Sequence, residues 1–329
     1  MTAIANTPLL QIRDLKKYYP VKTGVWRQSS DSVKALDGVS LDIHHSETFG
    51  LVGESGCGKT TLGHCLLRLV EPSSGAIRFE GKDILGFDSQ SMRQLRKEVQ
   101  IIFQDPYSSL NPRRTIRKTL QEPFIIHGLC SPRQQEEEVK GLLRAVGLDL
   151  SALEKYPHEF SGGQRQRIAI ARALALKPKL IVADEPVSAL DVSVQAQIIN
   201  LLQELQFHYQ LTYLFISHAI PVVEYFCHTM GIMYLGKLVE MGGTSEICAN
   251  PLHPYTRILL TSVPDLEETA WTGKVHFDGE VPSPINPPPG CRFHTRCPYV
   301  MDRCKSEEPG LIQVSSTHQV SCHLIEAGG

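Results

Sequence analysis

The chain has 329 residues, with 33 Lys and Arg against 35 Asp and Glu, a formal net charge of -2 and a pI near 6.7. That length suits two or three compact units, and the balanced charge argues against a global basic field that would take nucleic acid or an anionic membrane. No apolar run approaches the roughly eighteen residues of a bilayer span, and Met1 to Pro8 lacks the basic-then-apolar pattern of a secretory signal, so neither is expected.

In chain order, Tyr18 and Tyr19 stand together, and residues 22–31 read as a polar loop ahead of a strand Val33 to Leu36. Phe49-Gly50-Leu51-Val52 reads as a short apolar strand running into Gly53-Glu54-Ser55-Gly56-Cys57-Gly58-Lys59-Thr60, which fits G-x-x-x-x-G-K-S/T. Backbone N–H groups of such a loop converge on the α and β phosphates of a nucleotide, and glycines let the chain approach without a Cβ in the way. Lys59 would bridge the β and γ phosphates and Thr60 would offer its hydroxyl to Mg2+. Thr61, Leu62, Leu66 and Leu69 are read as continuing into a helix whose N-terminal dipole favours phosphate charge. Cys57 is needed there as a small residue, and its alkylation would block binding.

Further on, Ile101-Ile102-Phe103-Gln104 reads as a strand, and the Pro and Asn-Pro punctuation of residues 105–113 argues an irregular surface rather than a helix. Gln134 to Lys140 begins an amphipathic helix with Val139, Leu142, Leu143 and Val146 as its buried stripe; its Glu136-Glu137-Glu138 run reads as a solvated face. Ser161, Gly162, Gly163 and Gln164 stand directly before a helical stretch from Arg165 to Leu174, a second phosphate-accepting helix start. One γ phosphate and two cradles in one chain are reconciled if each nucleotide lies between the loop of one subunit and the serine-glycine helix of another. Leu180 to Ala183 is an apolar, buried-type strand ending in Asp184 and Glu185. Asp191 to Leu205 reads as a helix packed through Val194, Ile198, Leu201, Leu202 and Leu205, and Leu214 to Ser217 as a strand delivering His218.

With these motifs in this order, the chain resembles the ATP-binding cassette (ABC) ATPases, Phe160-Ser161-Gly162-Gly163-Gln164 standing where that family has LSGGQ. The resemblance implies an α/β, P-loop ABC fold: a RecA-like core with an antiparallel β subdomain over 9–104 and 179–249, an inserted helical subdomain over 105–178, and an extension over 250–329. It implies that Tyr19 stacks on adenine, that Gln104 senses Mg2+ and the γ phosphate, and that Ser188 to Asp191 is the D-loop. Asp184 is then the Mg2+-side carboxylate, Glu185 the base that accepts a proton from the attacking water, and His218 the residue that holds Glu185 and water in line. After His218, where many relatives carry Asp-Leu, this chain has Ala219-Ile220-Pro221.

The stretch from Gly279 to Leu324 resembles the C-terminal extension of oligopeptide and dipeptide importer ATPases, closer to the second (F-type) ATPase of such systems, and residues 105–113 resemble their segment near the membrane subunit. The resemblance implies an ATP-hydrolysing subunit at the cytoplasmic face of the inner membrane. Its partners would be a paralogous ATPase in a heterodimer, two permeases and an extracytoplasmic solute-binding protein, with no nucleic acid. Peptide is the favoured cargo, with nickel, glutathione or another small solute as alternatives. A non-transport ABC ATPase acting on DNA or ribosomes is disfavoured by the single cassette and the importer-type tail. Cys291, Cys297, Cys304 and Cys322 leave three readings open: disulfides, a thiolate metal site, or reduced thiols. The family resemblance favours a 4Fe-4S cluster over Zn2+ at a metal site. A tail so rich in proline is expected to have little core of its own, so a cluster would contribute folding free energy. The remaining histidines read mostly as surface or capping residues, and His44, His45 and His253 are assigned no functional role.

Overall fold

A computed structural model describes residues 7–23, 27–261 and 280–326. The chain divides into two compact units, one formed by Met1–Ile43, Thr48–Leu85 and Ser217–Gly329, the other by His44–Glu47 and Gly86–Ile216.

The first unit holds an antiparallel sheet in the order Arg27–Ile43, Leu10–Thr23, Ser74–Phe79 and Lys82–Asp83. Alternation buries Leu10 and Ile12 from one strand and Val39, Leu41 and Ile43 from the next, while Leu15, beside shifts in the register, and Leu36 are buried out of that period. Residues 27–31 lengthen the second strand, with Lys22 opposite Gln28 and Thr23 opposite Arg27, where the polar sequence had suggested a loop. Ladder hydrogen bonds need no apolar side chain, so composition alone does not exclude a strand.

The same unit carries a second run of strands in the order Ile312–Gln313, Gln319–Val320, Lys237–Gly243, Thr229–Tyr234 and Thr48–Val52, the last two parallel. Every residue of Thr48–Val52 is buried, as expected of a strand covered on both faces. The C-terminal tail therefore adds strands to this sheet. It also has a core. Phe293 is fully buried, with ring centroids 5.3 Å from Tyr234, 5.5 Å from Tyr255 and 5.6 Å from His253. The expectation that the proline-rich tail has little core to hold it is corrected by this packing of Phe293, with Val320 buried as well.

In the second unit, Val99–Ile102, Leu180–Asp184 and Thr212–Ser217 form parallel ladders, the latter two buried at every position. Its helices include Ile116–His127, Pro132–Ala145, Gly162–Leu174 and Val192–Tyr209. Pro132–Ala145 begins with a Ser131–Gln134 capping box and buries Val139, Leu142 and Leu143, with Val146 buried just beyond its end. Its acidic run is partnered rather than bare: Glu136 meets Arg117, Glu137 meets Lys140 at 2.9 Å and Glu138 meets Lys177 at 3.3 Å. Exposed pairs of this kind contribute little stability. Pro106–Ser109 makes one helical turn where irregular chain was expected, because the Asp105 carboxylate accepts from Tyr107 N–H and Pro106 occupies the first turn, where no N–H is needed.

Several tail histidines are interior. His318 Nε2 lies 2.7 Å from the fully buried Glu240, and its Nδ1 lies 3.6 Å from Glu246. Glu240 also accepts from the N–H groups of Leu252 and His253 at 2.8 and 2.9 Å, while burial pushes the His253 pKa down to about 4. The hydrogen bond to Glu240, then the charges of Glu240 and Glu246, raise His318 above its ordinary 6.5 against an opposing burial effect. The resulting stability is fully present below about pH 6.5 and is lost as pH rises through the raised value. Thermal unfolding from about pH 6 to pH 9 should therefore show the advantage of wild type over His318→Gln shrinking with rising pH; a constant gap contradicts a charged His318.

Candidate nucleotide site

In the first unit, the strand Thr48–Val52 delivers residues 53–60 to the helix Lys59–Leu66. Gly58 sits at φ 112°, and a Cβ there would lie 2.1 Å from the Ala35 carbonyl oxygen, so no other residue fits. Lys59 is 4% exposed, and its Nζ donates to the carbonyls of Gly53 at 2.7 Å and Glu54 at 3.0 Å. Ser55, Gly56 and Thr60 are exposed and Thr61 is half-buried. Cys57 is buried within the turn, and burial raises its thiol pKa, so it is a poor nucleophile; its predicted susceptibility to alkylation does not suit this setting. The helix stops at Leu66, short of the expected Leu69, because Arg68 turns to φ 47° and leaves Leu69 exposed.

Tyr19 is half-buried on the strand Leu10–Thr23, with Lys17 Nζ 4.9 Å from its ring centroid. Tyr18, by contrast, donates its hydroxyl to Asp37, and burial together with that bond raises its pKa to about 12. His218 follows the strand Thr212–Ser217 directly and is exposed. The helix Ile220–Phe226 starts from Ala219, which has cap geometry without a capping side chain; Ala219 N–H donates to Ser217 Oγ at 3.0 Å instead.

In the second unit, Asp184 ends a buried strand and is 4% exposed. Glu185 breaks the strand at φ 46°, its N–H held by the Ile216 carbonyl at 2.9 Å. A left-handed Glu is strained, and strain of this kind concentrates where a side chain must be aimed. Its Oε2 accepts from Gln104 Nε2 at 2.8 Å, so residues 81 apart in sequence meet as a pair. Ser188 Oγ donates to the Glu185 carbonyl at 3.0 Å. Asp191 caps the helix Val192–Tyr209, accepting from Val194 N–H at 3.0 Å and Ser193 Oγ at 2.8 Å, and these bonds lower its pKa, that of Ser193 first.

Ser161 caps Gly162–Leu174 reciprocally: Gln164 N–H donates to Ser161 Oγ at 3.4 Å, and Ser161 N–H to Gln164 Oε1 at 3.0 Å. Gly163 is required by close approach, since a Cβ would lie 2.5 Å from Val194 Cγ1. Lys59, Thr60 and His218 thus belong to the first unit, and Gln104, Asp184, Glu185 and the Ser161–Gln164 turn to the second.

A family model described as ABC transporter matches residues 36–188, and one described as oligopeptide/dipeptide transporter, C-terminal region, matches residues 239–304. The oligopeptide transport ATP-binding protein AppF of Bacillus subtilis is 50% identical over 98% of this chain and 99% of its own. The chain belongs to the peptide-transport ATP-binding proteins of the ABC family. The dipeptide transport ATP-binding protein DppF of Haemophilus influenzae is 47% identical over 98% of each chain. Among solved structures, cbiO1 from Clostridium perfringens matches with a TM-score of 0.64 at 27% identity, covering 74% of this chain and 91% of its own. A dimeric ATP-binding cassette, MJ0796, bound to ADP and Pi matches with a TM-score of 0.63 at 27% identity, covering 71% of this chain and 98% of its own.

ABC ATPases use Mg2+ with ATP, a hard ion that takes oxygen donors. The tail cysteines fit a metal less well. All are free thiols, and burial followed by their neighbours' charge raises Cys291 to about 12 and Cys297 to about 11, so Cys291, Cys297, Cys304 and Cys322 share one neighbourhood. Among the described residues, however, no three His, Cys, Asp or Glu side chains stand in metal-holding geometry. Contacts that the motifs did not announce are those of Arg296 and Tyr255 with Glu54, which carry no local sequence signal.

Ala219→Asp should supply the missing helix cap of this ABC ATPase and stabilise it by about 1 kcal/mol in denaturant unfolding. No gain would mean that the Ser217 hydroxyl already does the capping.

Proposed function

We propose that this chain is the ATP-hydrolysing subunit of a peptide importer, paired with a paralogous ATPase and attached to the cytoplasmic face of a membrane through two permeases that receive cargo from a solute-binding protein. The observation that carries the catalytic part is the strained Glu185, next to buried Asp184 and hydrogen-bonded by Gln104. The peptide cargo is supported by the peptide-transport relatives and by the match of the extension. Among the described residues no helix is long and apolar enough to cross a membrane, so attachment through other subunits suits the chain.

The residues divide the work of phosphoryl transfer to water. Backbone N–H groups of residues 53–60 and the Lys59 ammonium neutralise phosphate charge, and Tyr19 offers a flat face to adenine. Bound Mg2+ supplies further charge neutralisation at the phosphates. Glu185 takes the proton of the attacking water, and Gln104, which donates to its Oε2, keeps that carboxylate aimed. His218 steadies the γ phosphate. The Ser161–Gln164 helix start and Asp191 complete the nucleotide site of the partner ATPase, a sandwich supported by the dimeric cassette relative. Binding then closes the pair, and hydrolysis releases it.

The four tail cysteines are proposed as a structural 4Fe-4S site, with Zn2+ as the alternative, supported by four free thiols, Cys304 and Cys322 buried and Cys291 and Cys297 half-buried. The thiols have to close in around such a group. Anaerobically prepared protein should contain iron and acid-labile sulfide; the absence of both withdraws the cluster.

Glu185→Gln should bind ATP as wild type does while turnover falls by about a hundredfold or more, and a host carrying it should lose uptake of labelled peptides. Lys59→Ala should lose nucleotide binding itself. Unchanged uptake with Glu185→Gln, in a host where no other importer takes the same peptide, contradicts the proposed role.

A further inference from the structure

Glu54 of the phosphate loop has a carboxylate that the chemistry above does not use. Both of its oxygens accept from Arg296, at 3.0 Å each, in a two-pronged ion pair whose side chains are 10% exposed for Arg296 and 28% for Glu54. The Glu54 N–H donates to the hydroxyl of the buried Tyr255 at 2.9 Å, and its carbonyl accepts from Lys59 Nζ at 3.0 Å. Side chain, amide and carbonyl of this one residue are therefore all fixed, the first two by partners far away in sequence.

Arg296 is itself held firmly. Its N–H donates to the Phe293 carbonyl at 3.0 Å, and Phe293 is buried among Tyr234, Tyr255 and His253. The same turn anchors the far side of the loop: Arg292 pairs with Asp37 and donates to the Leu235 carbonyl, while the next residue, Gly236, gives its N–H to the Cys57 carbonyl at 2.9 Å. A phosphate cradle works by presenting backbone donors already in place, and a forked guanidinium–carboxylate pair fixes orientation as well as distance.

We propose that Arg296 is a positioning residue for nucleotide binding, acting from the C-terminal extension on Glu54 to hold the backbone donors of residues 53–60 in the form that takes a nucleoside triphosphate. The inference rests on the reading of those residues as the phosphate loop. Because binding linkage is reciprocal, nucleotide in turn steadies residues 291–304 on the loop.

The test titrates the full chain with a fluorescent ATP analogue, and measures turnover of the assembled transporter, for wild type, Arg296→Met, Arg296→Lys, Glu54→Gln and the Glu54→Gln/Arg296→Met pair. Arg296→Met should weaken binding about tenfold and raise KM to match, with kcat at saturating ATP within about twofold of wild type. Arg296→Lys should recover part of the loss, since it keeps the charge without the fork. The double variant should bind no more weakly than Arg296→Met, because both changes remove one interaction. Wild-type affinity in folded Arg296→Met, or losses that multiply in the double variant, would overturn the proposal. Should Arg296→Met not fold by circular dichroism, Arg296→Lys and Glu54→Gln carry the test, each expected to bind about threefold more weakly and each overturning the proposal if it binds like wild type. Lys59→Ala in the same titration separates the two claims, since equal binding by it and wild type defeats the phosphate-loop reading rather than the role of Arg296.

Discussion

A buried ammonium group is the constraint around which the first unit is arranged. Lys59 is 4% exposed and its charge is met by the carbonyls of Gly53 and Glu54. Removing such a charge from water is costly unless nearby groups solvate it, so the loop must fold back over the side chain and stay there. That requirement explains Gly58, where a Cβ would strike the Ala35 carbonyl, and the bond from Gly236 N–H to the Cys57 carbonyl. It also explains why the loop is buttressed from outside its own strand and helix.

The buttress is the extension. Its Arg292, Phe293 and Arg296 reach the turn around Tyr234 to Gly236, the strand at Asp37 and the loop at Glu54. Its outer strands join Lys237–Gly243, where Glu240 gathers two backbone N–H groups and His318. Buried polar clusters of this sort are worth little net stability when satisfied and cost much when broken, so their main effect is to fix one arrangement. A segment that sequence composition makes look like a loose tail is thereby part of the nucleotide-binding unit.

The sequence made the phosphate loop, the buried strands and the stripe Val139, Leu142, Leu143 and Val146 legible, because each is a local pattern: a spaced set of glycines, a run of apolar residues, a helical period. The family resemblance implies separate roles for Gln104 and Glu185 but not the hydrogen bond between them, since nothing local relates residues 81 apart. The Glu54–Arg296 pair, 242 residues apart, had no signal at all. Opposite charges are too common for one pair to stand out. The turn at Pro106–Ser109 departs from the irregular chain that its proline suggests, because proline breaks a helix interior but is well placed in a first turn. Residues 27–31 pair as a strand despite a polar composition that suggests a loop, because the ladder is made by backbone groups.

The central claim is that this ATPase drives a membrane importer, and its attachments test that most directly. The chain would be tagged in its native host, membranes extracted in mild detergent, and the co-purifying proteins identified by mass spectrometry. The account predicts two permeases, a paralogous ATPase and a solute-binding protein that retains peptide. Recovery of ribosomes or DNA-repair proteins, with no membrane protein, would contradict it.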